Sequence, residues 1–334
     1  MQFNAFVFPS PDPTYTHSDL YGRLIYVPKD VKQWGVHAPF VSFHQSHNVK
    51  RKEEELKRIG SYKGTCIPCL FLPNKQPSNK IVLHFHGNAE DIGLTKELLN
   101  LVKTELKVNV MVMEYKGYGL YNGATSAEGI LIDAETVLLY LTSVLGFAPE
   151  DIIVFGRSIG SGPACYLASK FNLHSLILMS AFTSLRNVVK GFVGSVLQFI
   201  VAERFNNEEW LSKVKCPVFI IHGQKDGIVS IDQAKLLYSA VKTKCKLHTP
   251  EEMDHNSFDF YEDFIYPLMI FYEELGLKTN LRWRKQKKSC VTETLYGTEG
   301  SAGSSRDSGT EEDKKDKPQA KIFYVPIKAF NKPA

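Results

Sequence analysis

A serine, a carboxylate and an imidazole stand at three separated points of this sequence, where together they could make an activated nucleophile. Ser158 is the centre of Gly156-Arg157-Ser158-Ile159-Gly160. An apolar, β-branched run, Asp151-Ile152-Ile153-Val154-Phe155, precedes it, and a helix is expected from Gly160 to Phe171. A pentad of this kind is informative in that context, because the chain must turn sharply from a buried strand into a helix. Only small residues tolerate the close approach at 156 and 160. The turn carries the hydroxyl to the carboxyl edge of a sheet and aims the positive end of the next helix at it. The flanks disfavour the alternative, a glycine-rich turn around an idle serine.

A serine hydroxyl is a weak nucleophile until a base takes its proton. The chain order expected here is Ser, acid, His. Asp226 follows the strand-like run Val218-Phe219-Ile220-Ile221, and His255 falls between the last expected strand and the last helix. Both positions lead back to the sheet edge that holds Ser158. Asp226 would orient the imidazole and stabilise its charged form, and His255 would move the proton. Asp254 adjoins His255 and is poorly placed to orient it, while His222 and His248 read as structural. Acyl transfer also needs two N–H donors for the developing oxyanion. The expected pair is the backbone N–H of Ile159 and a donor from His86-Gly87-Asn88-Ala89, with Asn88 the candidate and Gly87 allowing close approach. A plain strand-to-helix turn capped by Asn88 is the alternative for that loop.

Two clusters invite a metal reading and do not sustain it. Cys66-Ile67-Pro68-Cys69 resembles half a zinc site, yet it has no second pair and falls in an expected strand. His84 and His86 share one strand face, with no carboxylate cluster seen to join them. No metal and no cofactor are expected.

The elements that must position these residues follow from periodicity. Strands are expected at 36–43, 62–72, 81–85, 108–113, 151–155, 176–179 and 217–221, with a weaker one at 244–249. Helices are expected after His86-Gly87 (apolar residues at 94, 98, 101, 102 and 106), and over 126–145, 160–171, 234–242 and 257–274. Their alternation makes the class α/β, a mostly parallel sheet covered on both faces. Residues 1–36, with Pro9, Pro11 and Pro13, read as an irregular leader ahead of a 37–276 domain. The 182–213 connection is long, with Phe192, Val196 and Leu197 at partly helical spacing. It reads as an amphipathic helix on the core or as a short apolar cap. On the second reading Phe192 and Leu197 join Gly87 in contacting substrate.

Composition bounds the rest. Of 334 residues 43% are hydrophobic, enough for one large core. No apolar run is long enough to span a membrane, and the N-terminal segment does not read as a secretory signal. No Asn-x-Ser/Thr acceptor occurs, and six scattered cysteines fit a reduced, cytoplasmic chain. The +4 net charge divides unevenly: from Leu277 onward 13 basic and 7 acidic residues give +6, leaving 27 against 29, or −2, for the body. A nucleic-acid binder usually carries its basic stripe on the fold itself, so none is expected here. Residues 277–334 read as a basic, low-complexity tail. It ends in an apolar segment, Ile322 to Phe330, suited to docking on this body or on a protein partner.

With those motifs in order, the chain resembles the serine α/β-hydrolases, and among them the α/β-hydrolase-domain-17 group of protein depalmitoylases. The likeness runs from about Phe8 to Leu275. It includes Pro11-Asp12-Pro13-Thr14-Tyr15-Thr16, Tyr115-Lys116-Gly117-Tyr118-Gly119 and His255-Asn256 beside the motifs above. The resemblance implies an α/β-hydrolase fold, a triad of Ser158, Asp226 and His255, and hydrolysis of long-chain acyl thioesters on protein cysteines. That group carries acylated cysteines ahead of the leader. Here no cysteine precedes Cys66, so membrane contact is expected to be weak at most, through the basic tail. The expected substrate is an acylated protein or a lipid-like ester. The competing reading is an interaction protein on a hydrolase fold, docked into an assembly through its tail. Peptidase activity is a third reading, which no feature of the sequence requires.

Overall fold

A computed structural model describes residues 8–20, 23–34, 65–188 and 204–277, and the backbone of 321–323. Among the described residues, eight strands form one sheet in the order β1-β2-β4-β3-β5-β6-β7-β8. They are β1 (Leu24–Pro28), β2 (Cys66–Leu72), β3 (Ile81–Phe85), β4 (Asn109–Met113), β5 (Ile152–Arg157), β6 (Ser175–Met179), β7 (Val218–Ile221) and β8 (Cys245–His248). Strand β2 runs antiparallel to both β1 and β4, and the pairs from β4 to β8 are parallel.

Alternation along each strand divides the core between the two faces. In β5, Ile152 and Val154 join one cluster while Ile153 and Phe155 join the other. The first face is covered by α2 (Ala127–Ser143), α3 (Ser161–Lys170) and α5 (Ile231–Ala240), and the second by α1 (Lys96–Leu106) and α6 (Tyr266–Glu274). A short helix, α4 (Asn207–Leu211), packs against α3 and α5. Ser126 starts α2 as an N-cap, its hydroxyl accepting from the Gly129 N–H. The α/β architecture read from periodicity is therefore the one observed. Parallel β-strands buried on both faces produce the near-continuous apolar runs that made them legible.

Two expectations change. The leader is not wholly irregular: it contains β1, paired to β2 from Leu24↔Leu70 to Pro28↔Cys66, and it buries Phe8, Tyr15 and Leu20. Residues 257–274 are not one helix. They form β9 (Ser257–Asp259), a wide π turn (Phe260–Ile265) and α6. Asp259 accepts from the N–H groups of Tyr261 and Glu262, so the helical start signal lies two residues later than the apolar pattern suggested. Strand β9 in turn pairs antiparallel with β10 (Lys321–Phe323), from Lys321↔Asp259 to Phe323↔Ser257. That part of the apolar terminus thus lies on this chain's own body. The expected strand at 36–43 lies outside the described residues, as do Phe192 and Leu197, with residues 189–203 of the proposed cap.

Candidate active site

Ser158 leaves β5 at the carboxyl edge and takes φ +50°, a left-handed conformation costly for any residue with a Cβ. A 3-10 turn, Ser158–Gly160, leads directly into α3. The turn fits because Gly160 presses on the end of β3, where a Cβ would overlap the Phe85 carbonyl. Strand β3, fourth in the sheet order, is β5's neighbour, so the His86–Ala89 loop emerges beside Ser158.

Asp226 and His255 arrive from the other side, past β7 and β8. His255 Nδ1 lies 2.8 Å from Asp226 Oδ2, and its Nε2 lies 3.1 Å from Ser158 Oγ. Asp226 is oriented by its own loop, its Oδ1 accepting from the N–H groups of Ile228 at 2.9 Å and Val229 at 2.8 Å. Burial alone would raise this carboxyl. Hydrogen bonds from His222 and His255, the charge of His255 and the Val229 N–H outweigh it and hold Asp226 well below the usual carboxylate range. With Nδ1 donating to the carboxylate, Nε2 is left as an acceptor for the serine proton. The arrangement can deprotonate Ser158 as it attacks and return that proton to a leaving group. Asp254 plays a different part. It accepts from the N–H groups of Asn256 and Ser257, each at 2.7 Å, and shapes the turn that presents His255.

Ile159 is buried in the turn after Ser158. In the His86 loop, Asn88 Oδ1 accepts from the Tyr118 hydroxyl at 2.6 Å, which fixes the side chain of that candidate donor. The Gly87 N–H donates to Glu90 Oε2 at 2.7 Å. His86 and His84 do not form a pair. His84 packs on Phe155, while His86 Nε2 meets Glu114 Oε1 at 3.0 Å, a carboxylate from the end of β4 that sequence spacing did not reveal. Glu114 Oε2 also accepts from the Tyr15 hydroxyl at 3.0 Å, and Asp91 accepts from Thr14. The leader motif around Thr14 and Tyr15 therefore braces the floor of this loop. Cys66 and Cys69 project to opposite faces of β2, into different core clusters, and cannot share one ion. Among the described residues no group of three or more His, Cys, Asp or Glu converges as a metal site would.

Arg157, Glu90, Glu114 and His222 are the site residues that sequence reasoning missed or set aside. The available signal was charge beside motif: an arginine in the second position of the pentad and a glutamate three residues after Gly87. A charge between buried strands needs a partner.

No family model matches the chain. Human alpha/beta hydrolase domain-containing protein 17B is 26% identical over 267 residues, covering 80% of this chain and 89% of that protein. Protein bem46 of Schizosaccharomyces pombe is 29% identical over 218 residues, 63% of this chain and 73% of that one. Among solved structures, the Pyrococcus furiosus esterase Pf2001 superposes with a TM-score of 0.52 at 16% identity, covering 80% of this chain and 94% of that chain. The chain has the α/β-hydrolase fold and, over about four-fifths of its length, is similar in sequence to the α/β-hydrolase-domain-17 proteins.

Proposed function

We propose that this chain is a serine hydrolase that cleaves acyl esters or thioesters through an acyl-enzyme at Ser158. The observation that carries the reading is the continuous Asp226–His255–Ser158 hydrogen-bond relay, 2.8 and 3.1 Å, on loops at one sheet edge. His255 takes the Ser158 proton as Oγ attacks the acyl carbon, and the tetrahedral oxyanion forms against the N–H groups of Ile159 and Asn88. Collapse expels the alcohol or thiol, which leaves with the proton from His255. Water, deprotonated by the same imidazole, then releases the acid and restores Ser158. Similarity to alpha/beta hydrolase domain proteins supports the hydrolase class. The motifs shared with the depalmitoylase group favour S-acyl groups on protein cysteines as substrate.

The described residues contain no helix long and apolar enough to cross a membrane. The alternative reading, a partner-docking protein, draws on the apolar segment 322–330. The pairing of 321–323 with β9 favours attachment of the tail to this body instead.

A fluorophosphonate probe tests the reading directly. The full chain is expected to label and Ser158→Ala to remain unlabelled, with turnover of a palmitoyl thioester following the same pattern. Well-folded wild-type protein that neither labels nor turns over an acyl ester rejects the hydrolase reading.

A further inference from the structure

A buried ion pair lies beside the relay and touches both loops on which the relay depends. Arg157, the last residue of β5, is 2% exposed. A guanidinium in such a place is costly unless acceptors surround it. Its Nη1 donates to Glu90 Oε1. Its Nη2 donates to the main-chain carbonyl of His255 at 2.6 Å and to Asn256 Oδ1 at 3.1 Å. The second Glu90 oxygen accepts the Gly87 N–H at 2.7 Å. A Cβ on Gly87 would overlap the guanidinium where it now lies.

These contacts join three pieces of chain that are far apart in sequence. The loop with Gly87 and Asn88 follows β3, on one side of β5. The His255 loop follows β8, on the other side. Arg157 spans the space between them and adjoins Ser158 covalently. We propose that, given the serine-hydrolase reading above, Arg157 is a positioning residue which, with Glu90, forms a strut between the His255 loop and the oxyanion loop. The planar fork suits this role, because one nitrogen serves a carboxylate while the other serves a carbonyl, where an ammonium supplies a single point charge. Arg157 touches neither the relay side chains nor a substrate atom in any of these contacts. It acts through the backbone of His255 and, by way of Glu90, through the N–H of Gly87.

Removing Arg157 alone strands a buried carboxylate and puts folding at risk. Two variants of the full chain avoid that. Arg157→Met with Glu90→Met replaces the pair by apolar side chains, an exchange that often leaves stability unchanged. Arg157→Lys keeps the charge beside Glu90 and loses the fork to His255. With a soluble p-nitrophenyl ester, both are expected to remain folded and to keep the wild-type KM. Their kcat should fall on the order of 100-fold, the effect of displacing catalytic groups by about 1 Å. A measurement that needs no substrate is the downfield NMR resonance of the His255 Nδ1–H, expected to shift or broaden in both variants. Wild-type kcat with an unshifted resonance in a folded variant overturns the strut. Ser158→Ala, run beside them, separates the two readings. If it retains the ester activity, the hydrolase reading fails, and the resonance alone then decides whether Arg157 holds His255.

Discussion

His222 brings its Nε2 to 3.3 Å from Asp226 Oδ2, the carboxylate oxygen that His255 also engages. The same nitrogen lies 2.8 Å from the Val229 carbonyl, which only accepts, so Nε2 carries the proton. Asp226 is therefore held by two imidazoles and two backbone N–H groups. A histidine that sequence reasoning treated as structural stands directly behind the relay.

The first prediction concerns acid stability. The Asp226 carboxyl is lowered in the folded chain, so its contribution to stability is present above its unfolded value, about 4, and is lost as pH falls below it. His222→Phe removes one of the bonds that lowers the carboxyl. A bond to a charged group contributes about 1.5–3 kcal/mol, so the variant should melt lower at neutral pH and lose less on acidification. Melting curves between neutrality and acid measure both effects. Parallel curves for the two proteins would show that His222 does not hold Asp226.

The second concerns strain at Ser158. Ser158→Ala keeps a Cβ at φ +50°, whereas Ser158→Gly removes it. Both variants should be inactive, and the glycine variant should be the more stable by about 1 kcal/mol, the low end of the cost of such a conformation. Denaturant titration of the pair measures the difference.

The third concerns the floor of the His86 loop. Burial alone would lower the His86 pKa, but the Glu114 hydrogen bond and charge, with Glu90 and the Gly87 carbonyl, raise it above the ordinary histidine value. Stability from the charged pair is complete below the unfolded value, about 6.5, and is lost as pH rises through the folded one. Wild-type melting temperature should decline over that alkaline interval. In His86→Gln the decline should be largely absent.

The fourth concerns the tail. Deleting residues 318–334 removes the strand paired with β9. Hydrogen exchange at the amides of 257–259 should accelerate in the truncated chain, with the buried strands β3 and β5 unaffected. Unchanged protection at 257–259 would argue against docking on this body and favour a separate partner for 322–330.

Much of the molecule could be read from sequence because its strands are buried on both faces and its helices carry one-sided apolar stripes. The runs at 81–85, 152–155, 176–179 and 218–221 have little else to be. Strand β1 escaped because the prolines of the leader masked a short strand, Leu24–Pro28, at the sheet's edge. The apolar spacing of 257–274 is helical throughout, yet 257–265 form a strand and a π turn. Asp259, by accepting from the N–H groups of Tyr261 and Glu262, decides where the helical stretch begins.

The sequence by itself determined the α/β class and the strand-to-helix turn at Ser158, because each is a local pattern written in adjacent residues, and it set Asp226 and His255 just past later strand-like runs. Tertiary structure alone decided that Arg157 reaches His255, that Glu90 accepts from both Arg157 and Gly87, and that His222 shares Asp226. The physical reason is one of range. Periodicity and turn chemistry act over a few neighbouring residues, whereas a buried charge is stabilised by whichever acceptor the packing of distant strands brings within about 3 Å.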